Sequence, residues 1–385
     1  MGPLQGLKLI EMAAIGPVPF CATLLADMGA DIIRIDRLQA ADLGIPKADD
    51  PRFDVLARGR RVVPVDLKTD AGRALVLRLC EGADGLLEGF RPGVMERLGL
   101  GPEACHVRNP ALVYARMTGF GQDGPLAASA GHDINYIALA GVLSAIGPAD
   151  GPPVPPLNLI GDYGGGAMVL AFGLMCALHE AKASGQGQVV DAAMVEGAAF
   201  LMSMFQGLRA QGLWQEERAA NLLDGGAPWY ACYETADGKH VAIGAIEGRF
   251  YAALLARLGL ESEALPDQHD RSGWPRLRAR FEEIFKSKTQ AAWDDVFAGS
   301  DACYAPVLSM DEAARHPHNV ARGVFHERGG LNLPTPVPRF SRTPATVSAP
   351  PAPAGEAAHD ALSAWGIAAD EIDTLARDGV IGVRR

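Results

Sequence analysis

Pro17-Val-Pro-Phe-Cys-Ala-Thr-Leu-Leu-Ala-Asp-Met-Gly-Ala-Asp-Ile-Ile-Arg-Ile-Asp36 decides the fold class. The segment Pro17–Met28 reads as a helix entered through proline and stopped at Gly29, and Asp31–Asp36 reads as an isoleucine-rich strand. A short apolar strand pattern, Leu7–Met12, comes before it. Further strands are expected at Arg61–Leu67, Gly85–Leu87 and Leu112–Thr118, with a helix from Thr69 to Cys80 after the first of these. Short apolar strands alternating with helices predict an α/β fold, a parallel sheet with helices on both faces.

Downstream, the pattern turns helical. Ile134, Ile137, Ala138, Gly141, Val142 and Ala145 share one helical face. Gly164–Lys182 reads as a buried helix and Val195–Gln211 as another; the uncharged apolar stretch Tyr163–Leu178 is too short to span a bilayer. The loop Gly147–Pro156 is too proline-rich for a helix. Beyond about residue 213, Trp229–Thr235 and Lys239–Ala245 read as a hairpin turned at Asp237-Gly238, followed by helices near 247–258, 275–287 and 289–298. This section predicts a smaller α+β domain. The proline-rich stretch 331–355 reads as an extended connector, and Ala357–Val380 as helical.

The chain has 385 residues, which at roughly 100–200 residues per domain implies two or three domains. With 46 acidic against 35 basic side chains the net charge is −11, which argues against a nucleic-acid or anionic-membrane surface. The six cysteines form no CxxC, so zinc-ribbon and thiol-redox chemistry are not expected. Scattered thiols suit a reducing compartment. Lys8 and Glu11 break the only N-terminal apolar run, so no signal peptide is read and a cytoplasmic protein is expected.

Gly119-Phe-Gly-Gln-Asp-Gly124 has GxGxxG spacing, but Pro125 follows where a dinucleotide site needs a helix, so the glycines read as a loop. No GxSxG, GxxxxGK[ST] or HExxH occurs, and His316-Pro-His318 reads as a surface loop, so no metal is expected. Arg52–Arg61 carries four arginines near Arg34 and Arg37; it reads either as a solvated face or as a phosphate-binding cluster at strand ends. His132 and Asp162 sit in glycine-lined turns at expected helix starts, where an N-cap role competes with acid–base work. The helix dipole there is expected to lower the pKa of both.

Across residues 1–345 the chain resembles the α-methylacyl-CoA racemases of the family III CoA-transferase superfamily. The resemblance is carried by Ala26–Arg37, Val65-Asp-Leu-Lys68, Gly89-Phe-Arg-Pro-Gly-Val-Met-Glu-Arg-Leu-Gly99, Gly131-His-Asp-Ile-Asn-Tyr136, Gly161-Asp162, Asn221–Pro228 and Gly244-Ala-Ile-Glu247. It implies an interlocked homodimer. Each chain would hold a Rossmann-like CoA-binding domain over 1–195, completed by 325–385, a linker helix over 196–224 and a small domain over 225–315. The site would lie where the large domain of one chain meets the small domain of the other. The resemblance assigns His132 and Asp162 as the acid–base pair, with Glu247 assisting the imidazole. It gives the acyl-CoA contacts to Arg37, Val65, Asp66, Leu67, Lys68, Arg91, Gly131, His132, Asp133, Ile134, Asn135 and Tyr136. The family's Glu-Pro-Gln-Phe is Glu247-Gly-Arg-Phe250 here, which bears on acyl preference.

The expected activity is epimerisation of 2-methylacyl-CoA thioesters by 1,1-proton transfer. It needs no metal or organic cofactor, because the thioester acidifies the α-carbon and coenzyme A belongs to the substrate. The alternative is a CoA-transferase in which Asp162 acts as covalent nucleophile and His132 is dispensable. A non-catalytic CoA-binding protein is the third possibility.

Overall fold

The computed structural model of the chain describes residues 2–39 and 50–384. Six strands, β1 (Lys8–Met12), β2 (Asp31–Asp36), β3 (Arg60–Pro64), β4 (Gly85–Glu88), β5 (Val113–Thr118) and β6 (Val189–Ala193), form one parallel sheet. Their order is β3-β2-β1-β4-β5-β6. The winding reverses between β1 and β4, and open α/β sheets leave a crevice at such a point, above the carboxyl ends of the strands. The edge strand β6 has no counterpart in the sequence pattern, since three of its five residues are polar or alanine.

The connections carry α1 (Pro17–Asp27), α2 (Asp70–Glu81), α3 (Val94–Arg97), α4 (Pro102–Arg108), α5 (Asp133–Leu139), α6 (Met168–Ser184) and α7 (Met194–Leu201). Alternating strand residues feed a core on each face of the sheet. Ile10, Met12, Ile33 and Ile35 pack with Leu75 and Leu79 of α2 on one face. Leu9, Ile32, Leu87 and Val113 pack with Val18 of α1 and Leu170 and Leu174 of α6 on the other. The C-terminal helices Ala358–Ala364 and Ala369–Arg377 complete the first face through Leu362 and Ile372. The stretch expected as a connector from residue 331 opens instead with a strand, Leu331–Pro334, paired with Phe325–Arg328.

Several helical expectations are corrected. The face drawn from Ile134 to Ala145 ends early: α5 stops at Leu139, Gly141 takes φ 79°, and the buried residues are Asp133, Tyr136 and Ile137. The helix expected over 195–211 is two, α7 and Ser203–Ala210, parted at Met202. α6 is not buried all round; Leu170, Leu174, Ala177 and Ala181 are buried, whereas Phe172 is 72% exposed. Its entry, Leu159–Ala167, is a run of wide π-type turns. The two together span 26 residues, apolar enough to cross a membrane by length and composition, which corrects the short run read from the sequence.

The π-type segment exists because glycines let it touch α7. A Cβ at Gly197 would stand 1.8 Å from the Gly165 carbonyl oxygen, and one at Gly165 would stand 2.5 Å from the Ala198 nitrogen. Backbone cannot swing aside as a side-chain tip can. Gly197→Ala is therefore expected to destabilise the fold by about 3 kcal/mol, the upper end for overpacking, read as a lower urea midpoint.

The chain divides into two compact units. The first comprises the chain up to Ala140, Leu157–Leu201 and the chain from Phe325 onward; the second comprises Gly141–Pro156 and Met202–Val324. In the second, strands Tyr230–Glu234, His240–Gly244 and Tyr304–Pro306 form an antiparallel sheet with His240–Gly244 at its centre. Helices Gly248–Leu258, Trp274–Phe285 and Gln290–Phe297 pack on it through a core that includes Trp229, Tyr233, Phe281 and Trp293. The hairpin turns at Asp237-Gly238, as its sequence predicts.

Candidate active site

The loop between β1 and α1 ends at Gly16, and Asp162 lies against it. A Cβ at Gly16 would be 3.0 Å from Asp162 Oδ2. Asp162 is not an N-cap, one of the two roles its sequence leaves open, but sits inside the π-type segment. One turn earlier on that segment's approach, Asn158 donates from Nδ2 to Asp162 Oδ2 at 3.0 Å. From α5, Asp133 Oδ2 accepts the Asp162 backbone N–H at 2.7 Å. Asn158 carries no motif; its i, i+4 spacing to Asp162 was the one signal available.

His132 is the N-cap of α5, and its side chain is exposed. Its backbone N–H donates to Asn135 Oδ1 at 3.0 Å, which fixes the turn from which the imidazole projects. Tyr136, one turn on, donates its hydroxyl to the Gly131 carbonyl. Gly119 is required by this packing, since a Cβ there would lie 2.1 Å from the Tyr136 ring. That explains the glycine of the GxGxxG run without a nucleotide. Burial pushes the Tyr136 phenol up to about 12; the Asp162 and Asp133 charges add to this, and Arg91 opposes it.

Thus His132, Asp133, Tyr136, Asp162 and Arg91 act on one another electrostatically at the carboxyl ends of β1, β4 and β5. The expectation that the helix dipole lowers the Asp162 pKa is overturned. Burial raises the carboxyl, Asp133 raises it further, and the Asn158 hydrogen bond and His132 pull it back without restoring its ordinary value. The dipole argument fails because the carboxyl lies within a turn run and beside a second carboxylate. A carboxyl raised in the folded state stabilises the fold fully below its unfolded pKa, and loses that contribution as pH rises through the folded value. Asp162→Asn is therefore expected to melt higher than the wild type at pH 7–8, with the gap closing in acid, as differential scanning calorimetry across pH would show.

Arg37 and the Val65–Lys68 turn follow the carboxyl ends of the paired strands β2 and β3, and Val65 N–H donates to Asp36 O at 2.8 Å. Lys68 and Arg37 are exposed. The neighbouring arginine run is largely occupied internally. Arg58 pairs with Asp27 at 2.6 Å and Arg60 with Glu11 at 2.9 Å, so the phosphate reading of those two is corrected. Glu247 belongs to the second unit, an exposed N-cap of helix Gly248–Leu258, with Arg249 stacked over Phe250 at 4.4 Å. Cys303 lies close to Glu247, and burial, then the Glu247 charge, raises its thiol. Among the described residues no three His, Cys, Asp or Glu side chains form a metal-binding group.

A doubly wound sheet with a carboxyl and an imidazole over its switch point defines the class: an α/β protein with an acid–base site in the crevice. The family model described as CoA-transferase family III matches residues 4–358, and the chain belongs to that family. It is 46% identical to mouse alpha-methylacyl-CoA racemase, covering 98% of this chain and 97% of that one. The human alpha-methylacyl-CoA racemase is 44% identical over the same shares. In fold it is similar to a CAIB/BAIF family protein from Brucella suis, with a TM-score of 0.79 at 24% identity, covering 94% of this chain and 99% of that one.

Proposed function

We propose that this chain is a racemase of 2-methylacyl-CoA thioesters, working by 1,1-proton transfer between His132 and Asp162. The observation that carries the reading is a half-buried carboxyl, Asp162, that takes a hydrogen bond from Asn158, has its amide held by Asp133, and has its proton affinity raised by burial. The racemase relatives, similar over nearly the full length, supply the substrate class.

Inversion needs a base on one face of the α-carbon and an acid on the other. One group breaks the C–H bond; the electron pair moves into an enolate, and the thioester oxygen takes the charge. The other group then delivers its proton to the opposite face. Neutral His132 with protonated Asp162, and cationic His132 with ionised Asp162, differ only in where one proton rests, so a turnover converts one state into the other. An Asp at its ordinary pKa would be a poor acid near neutrality; burial and Asp133 shift Asp162 in the direction that favours proton donation. The first amides of α5, at Asp133 and Ile134, have no i−4 partner and suit the enolate oxygen better than Gly165 and Gly166, which are buried.

In this reading Arg37 and Val65–Lys68 hold the nucleotide end of CoA, and Arg91 with Gly131–Tyr136 the pantetheine and thioester. Glu247, from the small domain of a second copy, orients the His132 ring. The exposed apolar side of α6, with Phe172 at its centre, supports such a homodimer. The free state of all six cysteines supports a cytoplasmic setting. The second reading, a CoA-transferase with Asp162 as nucleophile, is favoured by the family itself and by 34% identity to succinyl-CoA–D-citramalate CoA-transferase of Chloroflexus aurantiacus. The test is incubation of a single epimer of a 2-methylacyl-CoA, followed by chiral analysis. The racemase reading expects both epimers to appear; retained configuration across a panel of acyl groups defeats it.

A further inference from the structure

One buried group stands outside the proton-transfer pair and is not explained by it. Asp133 is 6% exposed. Its Oδ2 holds the Asp162 amide at 2.7 Å, while its Oδ1 is buried and has no hydrogen-bond partner. A carboxylate oxygen in that condition costs stability, and such groups in folded proteins call for a reason. The surroundings are shaped to keep it there. A Cβ on Gly161 would stand 2.6 Å from Asp133 Oδ2, so a side chain before Asp162 would push that carboxylate out of place.

We propose that Asp133 is a positioning residue for Asp162: its carboxylate clamps the Asp162 amide at 2.7 Å and sets a second acidic group beside the Asp162 carboxyl. The inference rests on the racemase reading for the purpose of the Asp162 proton, but it concerns a group that does not touch the reacting carbon. Both functions come from one side chain, and they are separable. An asparagine amide oxygen can still accept the Asp162 N–H, but it carries no charge.

The charges around Asp162 leave Asp133 this task. From α5 come His132, which favours the ionised form, and Asp133, which opposes it. Asn158 donates to Asp162 and also favours the ionised form. Tyr136 and Arg91 lie further along the same cluster. α1 has no carboxyl, lysine, arginine or imidazole before Asp27 and α6 none before His179, which is exposed, while Glu196 of α7 is exposed and Asp191 of β6 accepts the Gln122 N–H at 3.4 Å. Asp133 is thus the one carboxylate in direct hydrogen-bond contact with Asp162 among the described residues.

The test uses the full-length Asp133→Asn variant and carbon-13 NMR titration of the aspartate carboxyls, with Asp162→Asn identifying the Asp162 signal. The Asp162 midpoint is expected to move to lower pH in Asp133→Asn. Above neutral pH, the epimerisation in which Asp162 must donate is expected to fall about tenfold or more, with KM for the acyl-CoA little changed. An Asp162 midpoint that stays in place in the folded variant overturns the proposal. So does a loss of rate equal at every pH, which a merely structural role would give. If the Asn variant does not fold, Asp133→Ser, a shorter neutral acceptor, is titrated in the same way. Because the titration needs no substrate, a wild type that epimerises nothing would defeat the racemase reading and still leave the Asp133 titration decisive.

Discussion

Replacing His132 with Ala is expected, on the proposed mechanism, to lower epimerisation of a 2-methylacyl-CoA by about three orders of magnitude, or about 4 kcal/mol of transition-state stabilisation. The physical reason is that an enolate formed by Asp162 on one face has no proton donor on the other, and water must substitute for a positioned imidazole. The side chain is exposed and its turn is held by backbone and Asn135 contacts, so the variant should keep its fold. Steady-state kinetics with each epimer reads the effect. The same variant separates the two readings of Asp162. A transferase that acylates Asp162 does not need the imidazole, so transfer between CoA and a free acid would survive the loss of His132. A KM near that of the wild type with a collapsed kcat marks a group acting in the transition state rather than in binding.

The second large effect is on stability. Arg60→Leu is expected to cost 3–5 kcal/mol or thereabouts, the range for breaking one side of a buried ion pair. Both Arg60 and Glu11 have fully buried side chains, and they meet at 2.9 Å. Glu11 lies on the central strand β1, and its Oε1 already has no hydrogen-bond partner, with the Arg34 guanidinium 3.7 Å away. Removing Arg60 leaves that carboxylate without its main counter-charge. The guanidinium also donates to the Pro19 carbonyl at 3.0 Å and to Thr23 Oγ1 at 2.8 Å, so it ties β3 and β1 to the first turns of α1. Gly16, just before that helix, is the residue against which Asp162 rests. Urea unfolding should therefore show a lower midpoint. Arg60→Lys, which retains the charge but not the fork, should fall between wild type and Leu.

Much of the fold was legible because it is local. Ile32, Ile33 and Ile35 before a polar turn, and Gly29 after an apolar helix, specify a βαβ unit without help from distant residues. The Asp237-Gly238 hairpin is equally self-contained. The site was legible only in part. His132 stood out as a polar residue at a helix start, and so it is. Asp162 also stood out, but its surroundings did not: the π-type segment exists because Gly165 meets Gly197 on a helix more than a turn of sequence away. No local propensity encodes that crossing. The sign of the Asp162 shift was missed for the same reason, since Asp133 and burial reach it only through tertiary packing. The helix α6 was misjudged because uniform apolarity cannot distinguish a side facing the sheet from one left open. Its Leu170, Leu174, Ala177 and Ala181 stripe appears only once the sheet is in place.

In the proposed mechanism two groups work on opposite faces of one carbon, and isotope exchange in heavy water separates them. Each epimer is incubated separately with Asp162→Asn and with a His132 variant, and α-deuterium is followed by NMR. Complementary behaviour is expected: each variant washes deuterium into one epimer only, through the base it retains, and inverts neither at an appreciable rate. If a single variant still exchanges both epimers, or the wild type exchanges neither, the two-base mechanism is contradicted.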